Sequence, residues 1–320
     1  MRKPLYIVLS FALVITGWLS LIKFLPKPFE SYWIEGIYER KEAAAQAIPG
    51  AKVVLIGGSS THYSYRAAVI SQWTGLSVVN LGTHAGLGAD YILKRAERSL
   101  KPGDVAVVAL EYHLLHALEP TEVLSRFVQT TDPSYLFKAP IEGVPELIFG
   151  YPPAEMLKQS VASTLPWNSP LYRAENVSTL GDETANTVGN TLPSMTARVA
   201  AASPIGYPAT NPERIPQPLL DFSKWAKDQG VTLVMAWPVT VSRDVYRSDP
   251  YVRYFHDVAA TFANAGFKVV PDPTPYFVPI EDMLDTVYHA NELGADRASK
   301  ALARDLCGLI PCPRQNLASR

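Results

Sequence analysis

The reading of the fold starts at Lys52-Val53-Val54-Leu55-Ile56-Gly57-Gly58-Ser59-Ser60-Thr61-His62. A short apolar, β-branched run that stops on glycine is the pattern of a strand buried on both faces of a parallel sheet. Working outward, residues 65–74 predict a helix, 77–82 (SVVNLG) a second strand, 89–100 a helix, and 105–111 (VAVVALE) a third strand after the turn Lys101-Pro102-Gly103-Asp104. The rhythm returns late in the chain. Residues 218–229 are amphipathic and stopped by Gly230; 231–237 read as a strand, 251–265 as a helix stopped by Gly266, 268–271 as a fifth strand, and 291–306 as a closing helix. Alternating strands and helices imply an α/β fold, a three-layer doubly wound parallel sheet. From about 120 to 216 the rhythm fails. That stretch, rich in Pro, Ser, Thr and Asn, reads as a long irregular insertion, either a lid or substrate wall or a disordered excursion.

The N-terminus has a different character. Arg2 and Lys3 precede an apolar run over residues 5–22, about the minimum length for crossing a bilayer. The run ends in Lys23-Phe24-Leu25-Pro26-Lys27, without the small-residue site that a cleaved signal peptide carries. The expectation is a signal-anchor over 1–27, a helical connector over 28–50 that includes Ser31 to Ala47, and a domain over 51–320. The basic pair places the N-terminus in the cytoplasm and the domain on the outer side of the plasma (inner) membrane, facing a periplasm or the exterior. Cys307 and Cys312 are spaced to close a small disulfide loop there, the alternative being two unpaired thiols.

Composition narrows the function. Of 320 residues 48% are hydrophobic and 18% charged, enough for a packed core, and a formal charge of -1 offers no basic surface for nucleic acid. No second Cys/His pair accompanies the cysteines as zinc spacing demands, and Gly57-Gly58-Ser59 lacks the dinucleotide and P-loop glycine patterns, so no cofactor or metal is expected.

Three loops hold the candidate chemistry, each at a strand's C-terminal end or before the last helix, where open α/β sheets form their sites. Gly57-Gly58-Ser59 lets the chain turn sharply and present the Ser59 hydroxyl; an ordinary helix cap is the plain alternative. The loop after the second strand, residues 80–88, holds Gly82, Gly86 and Gly88, whose backbone can approach a substrate oxygen. Near the C-terminus, His289 follows Asp285 by four residues. A serine hydroxyl needs a base, and an imidazole works best when a carboxylate fixes its tautomer.

In this order the three pieces resemble the SGNH (GDSL-like) hydrolase superfamily: serine after the first strand, glycine loop after the second, Asp and His near the end. The resemblance implies a flavodoxin-like fold and a Ser59–His289–Asp285 mechanism, with the oxyanion held by the Ser59 amide and an amide near Gly82 or Gly86. It is nearest in style to membrane-anchored members linked to O-acylation of cell-surface polysaccharides. That implies an envelope esterase or O-acyltransferase on acetyl or similar esters, with a membrane acyltransferase as a possible partner. The alternative is a non-catalytic accessory or carbohydrate-binding subunit of such an assembly. The chain departs from the family pattern at three points. Gly58 stands where Asp is usual. Asp285 is four residues before His289 rather than three, leaving Asp282 and Asp272 as alternative orienters. Leu110-Glu111-Tyr112-His113 replaces the block whose Asn donates to the oxyanion, so either Tyr112 or His113 substitutes, the hole works with backbone donors alone, or the site is slow. Glu111, a carboxylate ending an apolar strand, is either a site residue or the partner of a buried base.

Overall fold

The computed structural model describes residues 2–165, 169–207 and 211–313, apart from the side chains of 2–5, 7, 8, 11, 12 and 19. The Arg2 and Lys3 side chains, on which the expected orientation rests, and the last seven residues of the expected domain therefore lie outside the described residues. In chain order the helices and strands are α1 (Arg2–Ile22), α2 (Phe29–Ala47), β1 (Val53–Ile56), α3 (Ser59–Ser64), α4 (Ala67–Thr74), β2 (Val78–Asn80), α5 (Gly88–Ala96) and β3 (Val105–Val108). Then come α6 (Glu122–Thr130), α7 (Val144–Phe149), α8 (Pro153–Ala162), α9 (Pro193–Ala201), α10 (Gln217–Gln229) and β4 (Thr232–Met235). The chain closes with β5 (Thr240–Val241), α11 (Asp249–Asn264), β6 (Lys268–Val269), β7 (Phe277–Val278) and α12 (Glu292–Leu309).

Five strands form one parallel sheet in the order β2-β1-β3-β4-β6. All four β1 residues are buried, as a central strand covered on both faces requires. Stepping from β1 outward to β2 and then back across to β3, β4 and β6 with right-handed crossovers assigns helices to alternate faces. Accordingly α4 packs on α12, while α5 packs on α10. Gly230 ends α10 in the left-handed region (φ 68°), where a side chain would be strained. The expected α/β sheet is present, with a small parallel pair, β5 with β7, added beside it.

Two compact units divide the chain: residues 1–35 with 119–169, and residues 36–118 with 170–320. The first is helical. Within it α1 packs on α6, Trp18 Nε1 donates to Gln129 Oε1 at 3.2 Å, and Ile22 is buried with Tyr151 and Met156. Among the described residues no helix is long and apolar enough to cross a membrane. The second unit contains the sheet. The expected single insertion is thus two different things: 119–169 clusters with the N-terminal segment, and 170–216 belongs to the sheet unit. Cys307 and Cys312 form a disulfide across the end of α12, Cα–Cα 5.3 Å.

Candidate active site

Three loops meet at the C-terminal edge of β1 and β3. The chain leaves β1 through Gly57 and Gly58, and both glycines are demanded by close approach rather than by a left-handed backbone. A Cβ on Gly57 would lie 2.5 Å from the Ala109 carbonyl oxygen, and one on Gly58 2.5–2.6 Å from both Glu111 carboxylate oxygens. Ser59 then opens α3, half-buried, with its helix held down by Ser60 Oγ donating to Val239 O (3.0 Å) and Thr61 Oγ1 donating to Ala109 O (3.0 Å).

The far end of α3 grips the C-terminal loop. Ser64 Oγ donates to Tyr288 O at 2.9 Å and accepts the Ala290 N–H at 2.9 Å. The Tyr63 ring stacks on the His289 imidazole, centroids 4.4 Å apart at 30°. Ser59 and Tyr63 are four residues apart and share a helix face, so Ser59 stands one turn along from the ring that seats His289. Thr240 Oγ1 and the Val241 N–H both donate to Val287 O, fixing the same loop from a third side. Asn291 caps α12 through the Leu293 and Gly294 amides, so the capping role and the placement of His289 coexist.

His289 Nδ1 meets Asp285 Oδ1 at 2.8 Å despite the four-residue spacing. Tyr172 Oη donates to the other carboxylate oxygen at 2.8 Å, and Arg198 Nε donates to the Asp285 carbonyl at 3.1 Å. Burial pushes the Asp285 carboxyl up, but the His289 bond, the Tyr172 hydroxyl and Arg198 together hold it below the ordinary range. The alternative orienters are elsewhere: Asp282 pairs with Arg297 at 2.9 Å, and Asp272 is exposed and caps the Thr274 amide.

The glycine loop runs beside the Ser59 turn, its Thr83 N–H donating to Gly57 O at 3.1 Å and the Ala85 Cα 2.7 Å from where a Cβ on Gly58 would stand, but its amides expected as oxyanion donors have partners within the loop. Gly82 lies buried under α3, and its amide donates to Asn80 Oδ1 at 2.8 Å; the Gly86 amide donates to His84 Nδ1 at 3.0 Å. Tyr112 is a core residue, its ring against Trp237, Tyr254 and Phe255 and its hydroxyl buried. His113 is exposed, 6.1 Å from the Tyr288 ring. The Ser59 amide, in contrast, meets no acceptor among the described residues. Ser59 Oγ does not bond to His289; it donates to Glu111 Oε1 at 3.4 Å.

Behind α3 lies a second polar cluster that the sequence did not announce. His62 Nε2 is 3.2 Å from Glu183 Oε2, both fully buried, and the His62 ring meets the Tyr63 ring edge-on at 4.5 Å. Burial, with the Lys41 charge, pushes His62 down to about 4 against the pull of Glu183. Lys41, buried on α2, donates to Asn80 Oδ1 at 3.3 Å and is itself lowered to about 7 by burial. Asn80 in turn donates to the Thr61 and Tyr65 carbonyls, tying β2 to α3. Among the described residues no group of three metal-ligating side chains converges.

No family model and no curated protein matches this chain.

Proposed function

We propose that this protein is a serine acyl-transfer enzyme of the cell envelope, acting on acetyl or similar esters of a cell-surface polysaccharide. Ser59 is the nucleophile, and His289 with Asp285 is the acid–base pair. The observation that carries this reading is α3 itself: a six-residue helix that begins on Ser59 and ends seated on His289, whose imidazole is held at 2.8 Å by a carboxylate. Acylation of Ser59 gives an ester intermediate that water or a sugar hydroxyl resolves; the first makes an esterase and the second an O-acyltransferase. The free Ser59 amide is the oxyanion donor on this reading. The apolar run 5–22, preceded by two cations, serves as a membrane anchor, which puts the domain outside the cell beside a membrane acyltransferase. The Cys307–Cys312 disulfide suits such an oxidising compartment.

The test is labelling with a fluorophosphonate serine probe. Stoichiometric labelling of Ser59, lost in Ser59→Ala, supports the enzyme. A Ser59→Ala variant that cleaves small acetyl esters at the wild-type rate overturns it. One observation favours a second reading: Ser59 Oγ rests on Glu111 rather than on His289. Absence of labelling together with retained glycan binding would make the protein a non-catalytic accessory subunit.

A further inference from the structure

Glu111 is fully buried at the end of the chain leaving β3, and its carboxylate is aimed at the Ser59 turn. Oε1 accepts the Ser60 N–H at 2.7 Å and Oε2 the Gly58 N–H at 3.2 Å, while Ser59 Oγ donates to Oε1 at 3.4 Å. The space that a side chain at position 58 would fill is the space this carboxylate occupies. No lysine or arginine neutralises it among the described residues. The titratable groups that face it are His84, whose imidazole burial holds below its usual range against the pull of Glu111, and the Tyr288 hydroxyl, which burial and the Glu111 charge push up. A buried carboxylate in contact with a nucleophile poses a problem for any ester chemistry there. An oxyanion forming on a carbon bonded to Ser59 Oγ would develop close to an existing negative charge in a poorly solvated place.

Moving a proton removes the problem. We propose that Glu111 is the base that takes the Ser59 proton, and that His289 with Asp285 serves the departing and incoming alcohols; this rests on the reading of Ser59 as nucleophile. As Oγ bonds to the ester carbonyl carbon, its proton passes to Glu111 Oε1 and the carbonyl π pair moves to oxygen. The negative charge leaves the carboxylate as it arrives on the oxyanion, so two anions never face each other. When the intermediate collapses, the bond to the leaving alcohol breaks, and protonated His289 Nε2 gives that oxygen its proton. In the second half, neutral His289 accepts a proton from water or a sugar hydroxyl, whose oxygen bonds to the acyl carbon. Ser59 Oγ then departs and regains its proton from Glu111. The catalyst returns to its starting state, with a carboxylate at Glu111 and an imidazolium held by Asp285. A carboxylate is a weaker base than an imidazole, and this division of labour requires it to hold the proton only while the acyl group is on the serine.

The experiment compares an activated ester, 4-nitrophenyl acetate, whose alcohol leaves without protonation, with an alkyl acetate, whose alcohol needs a proton. Acylation is read as the burst of 4-nitrophenol in rapid mixing. Glu111→Gln is expected to lose at least about 100-fold with both esters. His289→Ala is expected to lose at least tenfold more with the alkyl ester than with the activated one. In the wild-type chain, where folding is not in question, the burst rate stays flat as the pH falls through the imidazole range. An imidazole acting as the base would slow about tenfold per pH unit below its pKa. A wild-type burst that follows that decline overturns the proposal, as does a Glu111→Gln variant with an unchanged burst and wild-type melting. A wild-type chain with no burst, hydrolysing no faster than Ser59→Ala, would remove the nucleophile assignment itself.

Discussion

The two histidine–carboxylate pairs flanking α3 are built from the same chemical groups and do different things. His289–Asp285 and His62–Glu183 have closest approaches of 2.8 and 3.2 Å, and both imidazoles touch the Tyr63 ring. In the first, the imidazole is 10% exposed and Tyr172 and Arg198 support Asp285. The second is sealed, with Lys41 close enough to act against protonation of His62. An acid–base catalyst must gain and lose a proton at little cost, and burial with the Lys41 charge denies that to His62. Proximity of the right residue types is therefore not enough for acid–base work; the burial and charge around the imidazole also count.

The largest effect expected from this contrast is catalytic. Asp285→Asn leaves the shape of the first pair intact but removes the charge that steadies an imidazolium, so turnover of an alkyl acetate should fall by roughly 10³–10⁴-fold with a melting temperature close to wild type. The matching change at the second pair, His62→Ala, strips a buried ring and leaves Glu183 without its imidazole. It should cost about 2–4 kcal/mol in urea unfolding while changing kcat/KM by less than about tenfold. A His62→Ala chain of normal stability with activity down by orders of magnitude would place the sealed pair in the chemistry and erase the distinction.

Acid unfolding sharpens the same comparison. His62 is held at about 4 in the folded chain, against about 6.5 unfolded, so between those values the unfolded chain binds more protons and stability falls as the pH falls. The contribution is complete above pH 6.5 and amounts to about 3 kcal/mol over the interval. The wild-type chain should lose that much more than His62→Ala between pH 6.5 and 4. Asp285, lowered in the fold, contributes stability that survives this interval and disappears only below the ordinary carboxylate range. Equal slopes for the two chains from pH 6.5 to 4 would show that His62 titrates normally.

The sheet and half of the site were legible because their signals are local. The runs at 52–57, 77–82 and 105–111 announce strands by composition alone, and Ser59, Asp285 and His289 are each conspicuous within a few residues of sequence. The glycine loop was readable only in part. Glycine admits close backbone approach, but whether the neighbour is a substrate or the protein depends on the fold, and for Gly82 it is the backbone of Thr61 and His62. What stayed hidden depends on contacts between residues far apart in the sequence, 39 positions for Lys41 and Asn80 and 113 for Tyr172 and Asp285. Glu183 and Tyr172 sit in a stretch with no periodicity, and nothing near them in sequence points to His62 or Asp285. Lys41 looked like one more charge on a connector helix, and its burial beside Asn80 has no sequence signature.

Tyr172 offers the smallest and most discriminating test, because it belongs to the irregular stretch rather than to any expected motif. Its hydroxyl donates to Asp285 Oδ2 at 2.8 Å, and that bond is one of the forces holding the carboxyl low. Tyr172→Phe keeps the ring and deletes one charge-assisted hydrogen bond, worth roughly 1.5–3 kcal/mol at most and less where water can replace it. Asp285 should then titrate nearer its ordinary value and hold the imidazolium less firmly. The expected result is a several-fold fall in turnover of an alkyl acetate, an acid limb displaced to higher pH, and no change in the pH-dependent stability that His62 confers. An unchanged acid limb would mean that Asp285 needs no help from the 170–216 segment, which would then be packing rather than part of the site.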